Sequence, residues 1–450
     1  MSEIKTSRLS RIAKLGTSLM KVGADLAMDK VKNVRKDVND ATHRISAAKE
    51  IIESMGQLKG GLMKIGQMIS ITEDLLLPPE IVSLFESLQK HAPPMSEQQM
   101  LSVFQEEFGK LPEEVFAYFN RVPMASASIG QVHHAMTIDG EKVAVKIQYP
   151  KIVKAITGDL KNLDQIDKLF SLLLPGKPHI RPMLEEIKES LVEECDYQHE
   201  MARMVLFRDI YANSFPDIHV PKTYPELSTS RVLTTEYIHG DPFEETLHYP
   251  QEVKDKLGSM LYNSFLYSLF EKGALHTDPQ NGNYLFSHDK IYLLDFGSTR
   301  KFPKDFLHYY ALICESVLNE SRELYTYAAK GLEIFNGNED EEFIEKTFQL
   351  TKSVYHPFSE PGSYPIKDLN PFKLLAHFIS TIDISGRRAP RNEFLLLDRA
   401  NIGLFTKLKA WGSHVDWHQG RVTYQYPKTM EAFEEVEGFE ELTEDFKNKI

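Results

Sequence analysis

Asp278, Asn283 and Asp295 bracket two apolar, β-prone runs, NYLF and KIYLLDF, in the stretch ALHTDPQNGNYLFSHDKIYLLDFGSTR that begins at Ala274. A soluble core strand gains nothing from ending in a carboxylate, whereas a metal-phosphate site does. Asp278 can accept or orient a hydroxyl proton, and Asn283 and Asp295 offer the hard oxygen ligands that magnesium takes beside phosphates. Gly297 then lets the chain turn away. His276 reads as a hydrogen-bonding residue of the same loop rather than as a base. Lys146 lies between Val143, Val145 and Ile147 on an apolar strand, so its charge needs a partner. Glu200 is a candidate that would hold the ammonium against a nucleotide's phosphates.

These side chains need elements to position them. VPMASASIGQVHHAMTIDGEKVAVKIQYP, from Val122, reads as a small-residue loop, a strand, an IDGEK turn and a second strand that carries Lys146. Ala125, Ser126, Ala127, Ser128 and Gly130 would let backbone amides approach phosphates. SLVEECDYQHEMARM continues a helical pattern from Met183 and offers Glu194, Asp196 and Glu200. Asp196 and Glu200 share a helix face, but Glu194 and Asp196 point nearly opposite ways, so all three meet one site only if the helix breaks. RVLTTEYIHGDPFEE supplies a β-rich run to Ile238 and a turn, a connector whose backbone at Glu236 to Ile238 could bind adenine. The order of small-residue loop, Lys, Glu, connector, HxDxxxxN and DFG is that of a protein-kinase-like fold.

Composition bounds the partners. The 450 residues are 42% hydrophobic and 26% charged, enough for a large core in two lobes. A net charge of -13 argues against nucleic acid, whose phosphates need a basic field. Two isolated cysteines, Cys195 and Cys314, point to a reducing compartment, the cytoplasm by default. No apolar run of spanning length and no secretory signal is present, so no bilayer crossing is expected. Residues 1 to 45 form a separate basic segment, in which Ile12, Leu15, Leu19, Val22 and Leu26 recur at helical spacing with Arg8, Arg11, Lys14 and Lys21 off that stripe. It reads as a helix docked on its own protein, with contact to an anionic membrane surface as the alternative. A helical extension follows over residues 46 to 121. There Met55, Leu58, Leu62, Ile65 and Ile69 form one stripe, and Gln57, Gly60, Gly61, Lys64 and Gln67 line the other side. The remaining divisions are a first lobe over 122–240, a mostly helical lobe over 241–425 and an acidic tail over 426–450.

KIGQ at Lys64 to Gln67, ASASIGQVH, VAVKIQYP, ECDYQHE, HTDPQNGNYLF and LLDFG together cover roughly Ala48 to Arg300. On these motifs the chain closely resembles the UbiB/ADCK-like atypical kinases, the AarF type linked to ubiquinone biosynthesis. RRAPRNEFLLLDRANIGLFTKLKAW, from Arg387, is similar to that family's C-terminal helices. The resemblance implies an α+β, two-lobed protein-kinase-like fold with a helical N-terminal extension and a helical C-terminal lobe. It implies that Lys146 and Glu200 form the ion pair, that Asp278 is catalytic, and that Asn283 and Asp295 hold Mg²⁺. It places Lys64 and Gln67, joined by Glu194 and Asp196, over the site where a peptide substrate would dock. It further implies ATP binding with ATPase activity, tied to ubiquinone or other isoprenoid-lipid metabolism at membranes. The loop reads ASAS where the family usually has a run of alanines, which bears on nucleotide preference. The acidic FEEVEGFEELTEDFKNKI end stands where many bacterial members carry membrane spans, so a peripheral association is expected. The alternatives are a nucleotide-gated scaffold and a small-molecule phosphotransferase; KIGQ and ECDYQHE speak against the latter.

Overall fold

The Ser96 hydroxyl accepts the Gln99 backbone N–H, and the Gln99 side chain accepts the Ser96 backbone N–H, a capping box that starts α1 (Glu97–Phe108). The computed structural model describes residues 95–127, 129–150, 192, 194–365 and 391–433. Gly109 ends α1 in the left-handed region, at φ 67°, and α2 (Pro112–Val115) follows. The strands β1 (Tyr118–Phe119), β2 (Ala125–Ser126), β3 (Gly130–Met136) and β4 (Lys142–Gln148) come next. After α3 (Tyr197–Ala212) and β5 (Ile218–His219), β6 (Val232–Glu236) completes an antiparallel sheet of order β1-β3-β4-β6, with β2 paired to β3. In β4 alternate residues face opposite sides. Val143, Val145 and Ile147 are buried in a core with Met100, Val103 and Phe104 of α1 and with Phe116 and Phe119.

The second lobe is mostly helical. It begins with α4 (Phe243–Thr246) and α5 (Gln251–Leu266). Short strands then build its floor: β7 (Ala274–His276), β8 (Tyr284–Phe286), β9 (Ile291–Leu293) and β10 (Thr299–Lys301). Here β7 pairs with β10, β8 pairs antiparallel with β9, and β5 runs parallel to β9. The lobe continues through α6 (Lys304–Leu318), α7 (Arg322–Gly331), α8 (Glu341–Tyr355), β11 (Tyr364–Pro365), α9 (Glu393–Trp411), β12 (His414–Val415), α10 (Trp417–Gly420) and α11 (Tyr426–Phe433). The whole is the α+β, two-lobed kinase-like architecture that the motif order implies. Neither cysteine is in a disulfide, and both are buried. Among the described residues no helix is long and apolar enough to cross a membrane.

Three expectations change. The first lobe does not begin at Val122, because α1 supplies the apolar face on which its sheet packs and β1 pairs with β3. The acidic tail does not begin at Tyr426, because Tyr426–Phe433 is a helix packed on α6, with Thr429 fully buried. Glu194 and Glu200 do not share one continuous helix: Cys195 is a turn, and Asp196 is extended at φ -118° and ψ 103°. Asp196 instead caps α3, its carboxylate accepting the Gln198 N–H at 3.0 Å. The basic segment 1–45, the 46–94 part of the extension and Ser128 lie outside the described residues.

Candidate active site

The strand alternation that buries Val143, Val145 and Ile147 turns Lys146 to the opposite face of β4. There its Nζ donates to Glu200 Oε1 and Oε2, each at 3.0 Å, and to Asp295 Oδ2 at 2.7 Å. Glu200 comes from the first turn of α3 and Asp295 from the chain just after β9, so three separate elements converge. The ammonium also lies 5.0 Å from the centre of the Tyr197 ring. Burial opposes the Lys146 charge, but the Asp295 and Glu200 carboxylates outweigh it and hold its pKa well above the ordinary value. For Glu200 the balance goes the other way. Burial first, then repulsion from Asp295, push its carboxyl up to about 7, against Lys146 and the Phe296 N–H that donates to Oε1 at 3.4 Å.

A consequence for stability follows from that direction. Folding favours the protonated Glu200, whose ordinary value is 4.5. Its contribution is therefore full below about 4.5 and is lost as pH rises through about 7. The thermal midpoint of the nucleotide-free protein should fall between about pH 5 and about pH 8, and Glu200→Gln should flatten that slope. Equal slopes for the two proteins would assign the pH dependence to other groups.

Beyond Asp295, the chain packs tightly. Gly297 N–H donates to Asp295 Oδ1 at 2.9 Å, and Gly297 O accepts from Arg203 Nη1 at 3.0 Å. The chain does bend at Gly297, as expected, but φ there is not in the left-handed region, so the need for a glycine is one of space. A Cβ there would lie 3.0 Å from Glu194 Cγ. Phe296 is fully buried between the rings of Phe207 and His276. His276 Nε2 donates to the Asp295 carbonyl at 2.6 Å, and burial lowers the ring's pKa, so a neutral imidazole ties the two loops together.

A cleft of about 400 Å³ lies over these groups. Ala125, Ser126 and Ala127 form its roof, Ala144, Lys146 and Leu233 its back, Glu236 to Ile238 its edge, and Asp278, Asn283 and Asp295 its floor. Gly130, expected to join the roof, is not part of the lining. It packs against β4, where a Cβ would come 2.3 Å from Ile147 O. The Ala127 N–H is committed to Gly130 O at 2.8 Å, so that amide is not open to a phosphate. At the edge, Glu236 N–H and Tyr237 N–H donate to Lys222 O and Lys142 O, while Ile238 N–H has no partner among the described residues. Glu194 and Asp196 do not line the cleft; the first backs Gly297 and the second caps α3. Lys64 and Gln67 lie outside the described residues.

The floor carries groups that sequence reasoning missed. Asp278 Oδ1 accepts from Arg399 Nη2 of α9 at 2.5 Å, with both side chains 4% exposed. Lys407, also on α9, donates to Pro279 O and stands 4.5 Å from the centre of the Tyr284 ring. Burial pulls its ammonium down to about 8. A signal for both was present: Arg399 and Lys407 stand eight positions apart, on one helix face, in the leucine-rich LLLDRANIGLFTKLKAW, with Gly403 midway.

Asn283 and Asp295 bring a side-chain carbonyl and a carboxylate to one floor, the hard-oxygen donor type that suits Mg²⁺. Two carboxylates against one ammonium also leave excess negative charge at Lys146. Among the described residues no three His, Cys, Asp or Glu side chains gather as a self-sufficient metal cage. A magnesium ion at Asn283 and Asp295 would take its other ligands from phosphate and water.

A family model described as the ABC1 atypical kinase-like domain matches residues 87–327. "Atypical kinase COQ8B, mitochondrial" of Rattus norvegicus is 30% identical over 422 residues, covering 92% of this chain and 79% of the rat protein. "Atypical kinase COQ8, mitochondrial" of Saccharomyces cerevisiae is 29% identical over 364 residues, covering 79% of this chain and 72% of its own length. Among solved structures, the Rv3197–erythromycin complex from Mycobacterium tuberculosis is similar at a TM-score of 0.61 and 27% identity, covering 86% of this chain and 98% of that one.

Proposed function

Because the chain belongs to the ABC1 atypical kinase-like family, we propose that it binds ATP with Mg²⁺ in the cleft between its lobes and there transfers or hydrolyses the γ-phosphoryl group. The observation that carries this reading is the convergence of Lys146 on Glu200 and Asp295, at 3.0 and 2.7 Å, beside Asp278 and Asn283. Lys146, fixed by Glu200, would pair with phosphate oxygens. The Ile238 N–H and the connector backbone would hold the base at the cleft edge, under the Ala125–Ala127 turn. Asn283 and Asp295 would hold Mg²⁺, which when bound neutralises charge on the phosphates. Asp278, kept in direction by Arg399, would orient the attacking hydroxyl or water and take up its proton. Glu194, behind Gly297, would bias the position of the segment that carries Asp295 and so act as a regulatory contact.

The finer reading is that this activity supports ubiquinone or other isoprenoid-lipid metabolism at a membrane surface to which the protein is peripheral. It draws on the motif resemblance and on relatives named COQ8. The test is nucleotide binding and ATPase activity of the purified chain with Mg²⁺, with and without anionic liposomes and isoprenoid-quinone-like headgroup compounds. Turnover stimulated by both is expected. Activity indifferent to both would remove the lipid-linked reading, and absence of nucleotide binding would remove the catalytic one.

A further inference from the structure

One face of α9 is built onto the catalytic loop. Arg399, Gly403 and Lys407 follow each other at intervals of four and so align along one side of the helix. All three meet the Asp278–Pro279 segment. Arg399 Nη2 reaches the Asp278 carboxylate at 2.5 Å, and Lys407 Nζ donates to the Pro279 carbonyl. Between them a Cβ at Gly403 would lie 1.8 Å from Pro279 Cβ, so the helix backbone rests directly on the proline ring. The helix grips the carboxylate, the ring and the carbonyl of two consecutive residues.

Stability by itself does not account for this face. A buried ion pair about breaks even against well-packed apolar residues. Among the described residues, Arg399 Nε and Nη1 moreover have no hydrogen-bond partner and are buried, which is unfavourable. A glycine inside a 19-residue helix weakens it relative to alanine. Leu397, Ala400, Leu404 and Leu408 of the same helix are buried and already seat it in the lobe. The polar face therefore adds a function beyond docking.

We propose that the Arg399–Gly403–Lys407 face of α9 is the positioning element of the catalytic loop, fixing the direction of the Asp278 carboxylate and the depth of the loop backbone, and thereby setting turnover rather than nucleotide affinity. None of the three residues lines the cleft. They act through Asp278, and the inference rests on the reading of Asp278 as the residue that orients the attacking group. Misplacing such a group by about 1 Å is enough to lower a rate by ~10²-fold.

The test compares Arg399→Met, Arg399→Lys, Gly403→Ala and Lys407→Met in the full chain, by steady-state ATP turnover, Mg-ATP binding and hydrogen exchange. Arg399→Met should lower kcat by ~10²-fold while KM and the nucleotide Kd stay within about threefold. Arg399→Lys, which keeps a donor to the carboxylate, should recover about tenfold of that loss. Gly403→Ala keeps both cations and should still lose about tenfold in kcat, because Pro279 must move. Lys407→Met should lower kcat in the same sense with Kd unchanged. Should Arg399→Met fail to fold, Gly403→Ala and Arg399→Lys decide the matter. Exchange of the 274–283 segment should be about tenfold faster in Gly403→Ala than in the unaltered chain, with protection elsewhere retained. That readout judges the clamp even if the protein binds nucleotide without turning it over, an outcome that would sink only the catalytic reading. Unchanged kcat in the three nonconservative variants, kcat and Kd falling together with no rescue by lysine, or unchanged exchange at 274–283 would overturn the proposal.

Discussion

Asp278→Asn is expected to lower ATP turnover by ~10³-fold in kcat while Mg-ATP continues to bind. The asparagine keeps an oxygen able to accept from Arg399 Nη2, which now donates to Asp278 Oδ1 at 2.5 Å, so the loop retains its anchor. What would be lost is the carboxylate proposed to orient the attacking hydroxyl and take its proton. Measured kcat and nucleotide Kd on the same preparation separate the readings. If biological function disappears with turnover while binding persists, chemistry is required and the nucleotide-gated scaffold fails. If function survives without turnover, the scaffold stands. A variant with undiminished turnover would remove Asp278 from the catalytic role.

Lys146→Met has the second large effect, and it acts on both stability and binding. The ammonium is the cation that Glu200 and Asp295 share, with Glu200 only 2% exposed. Without it two carboxylates face each other in a buried site. Breaking a buried pair in this way costs about 3–5 kcal/mol unless one carboxylate takes a proton. Glu200 is the acceptor for that proton, since its carboxyl is already pushed up to about 7. The loss in unfolding free energy should therefore be smallest in acid and grow as pH rises through neutrality. Nucleotide affinity should fall together with kcat/KM, by ~10²-fold or more, because phosphate pairing is lost in the ground state as well as in the transition state. Denaturant unfolding at several pH values and nucleotide titration check both parts. A Lys146→Met protein with unaltered nucleotide affinity would detach the triad from the phosphate site.

Much of the site could be read along the chain. The apolar residues about Lys146 put it on a strand with a charge that needs a partner, and β4 carries it to one. The HxDxxxxN and DFG spacing delivered Asp278, Asn283 and Asp295 to one floor. Glu200, one of three acidic candidates in the sequence, is the one in contact with Lys146, because Asp196 is consumed as the cap of α3 and Glu194 precedes the break. What was misread was a small residue whose purpose depends on a neighbour remote in sequence. Gly130 looked like part of a phosphate loop and is a packing contact with Ile147; Gly297 sits at the expected bend and also makes room for Glu194.

The sequence by itself determined the residue chemistry, the strand and helix periodicities and the linear order of motifs, and with them the two-lobed fold and the floor of the cleft. These depend on interactions between near neighbours, and a pattern of a few residues expresses them fully. Tertiary structure alone decided which surfaces meet. It joined Arg399 to Asp278 across 121 positions, seated Gly403 on Pro279, gave Glu200 rather than its acidic neighbours to Lys146, and drew α1 and α11 into the lobes they border. The physical reason is that a buried charge or a missing side chain is favourable only against its partner, and the partner's identity is set by packing over the whole chain rather than by spacing within any part of it.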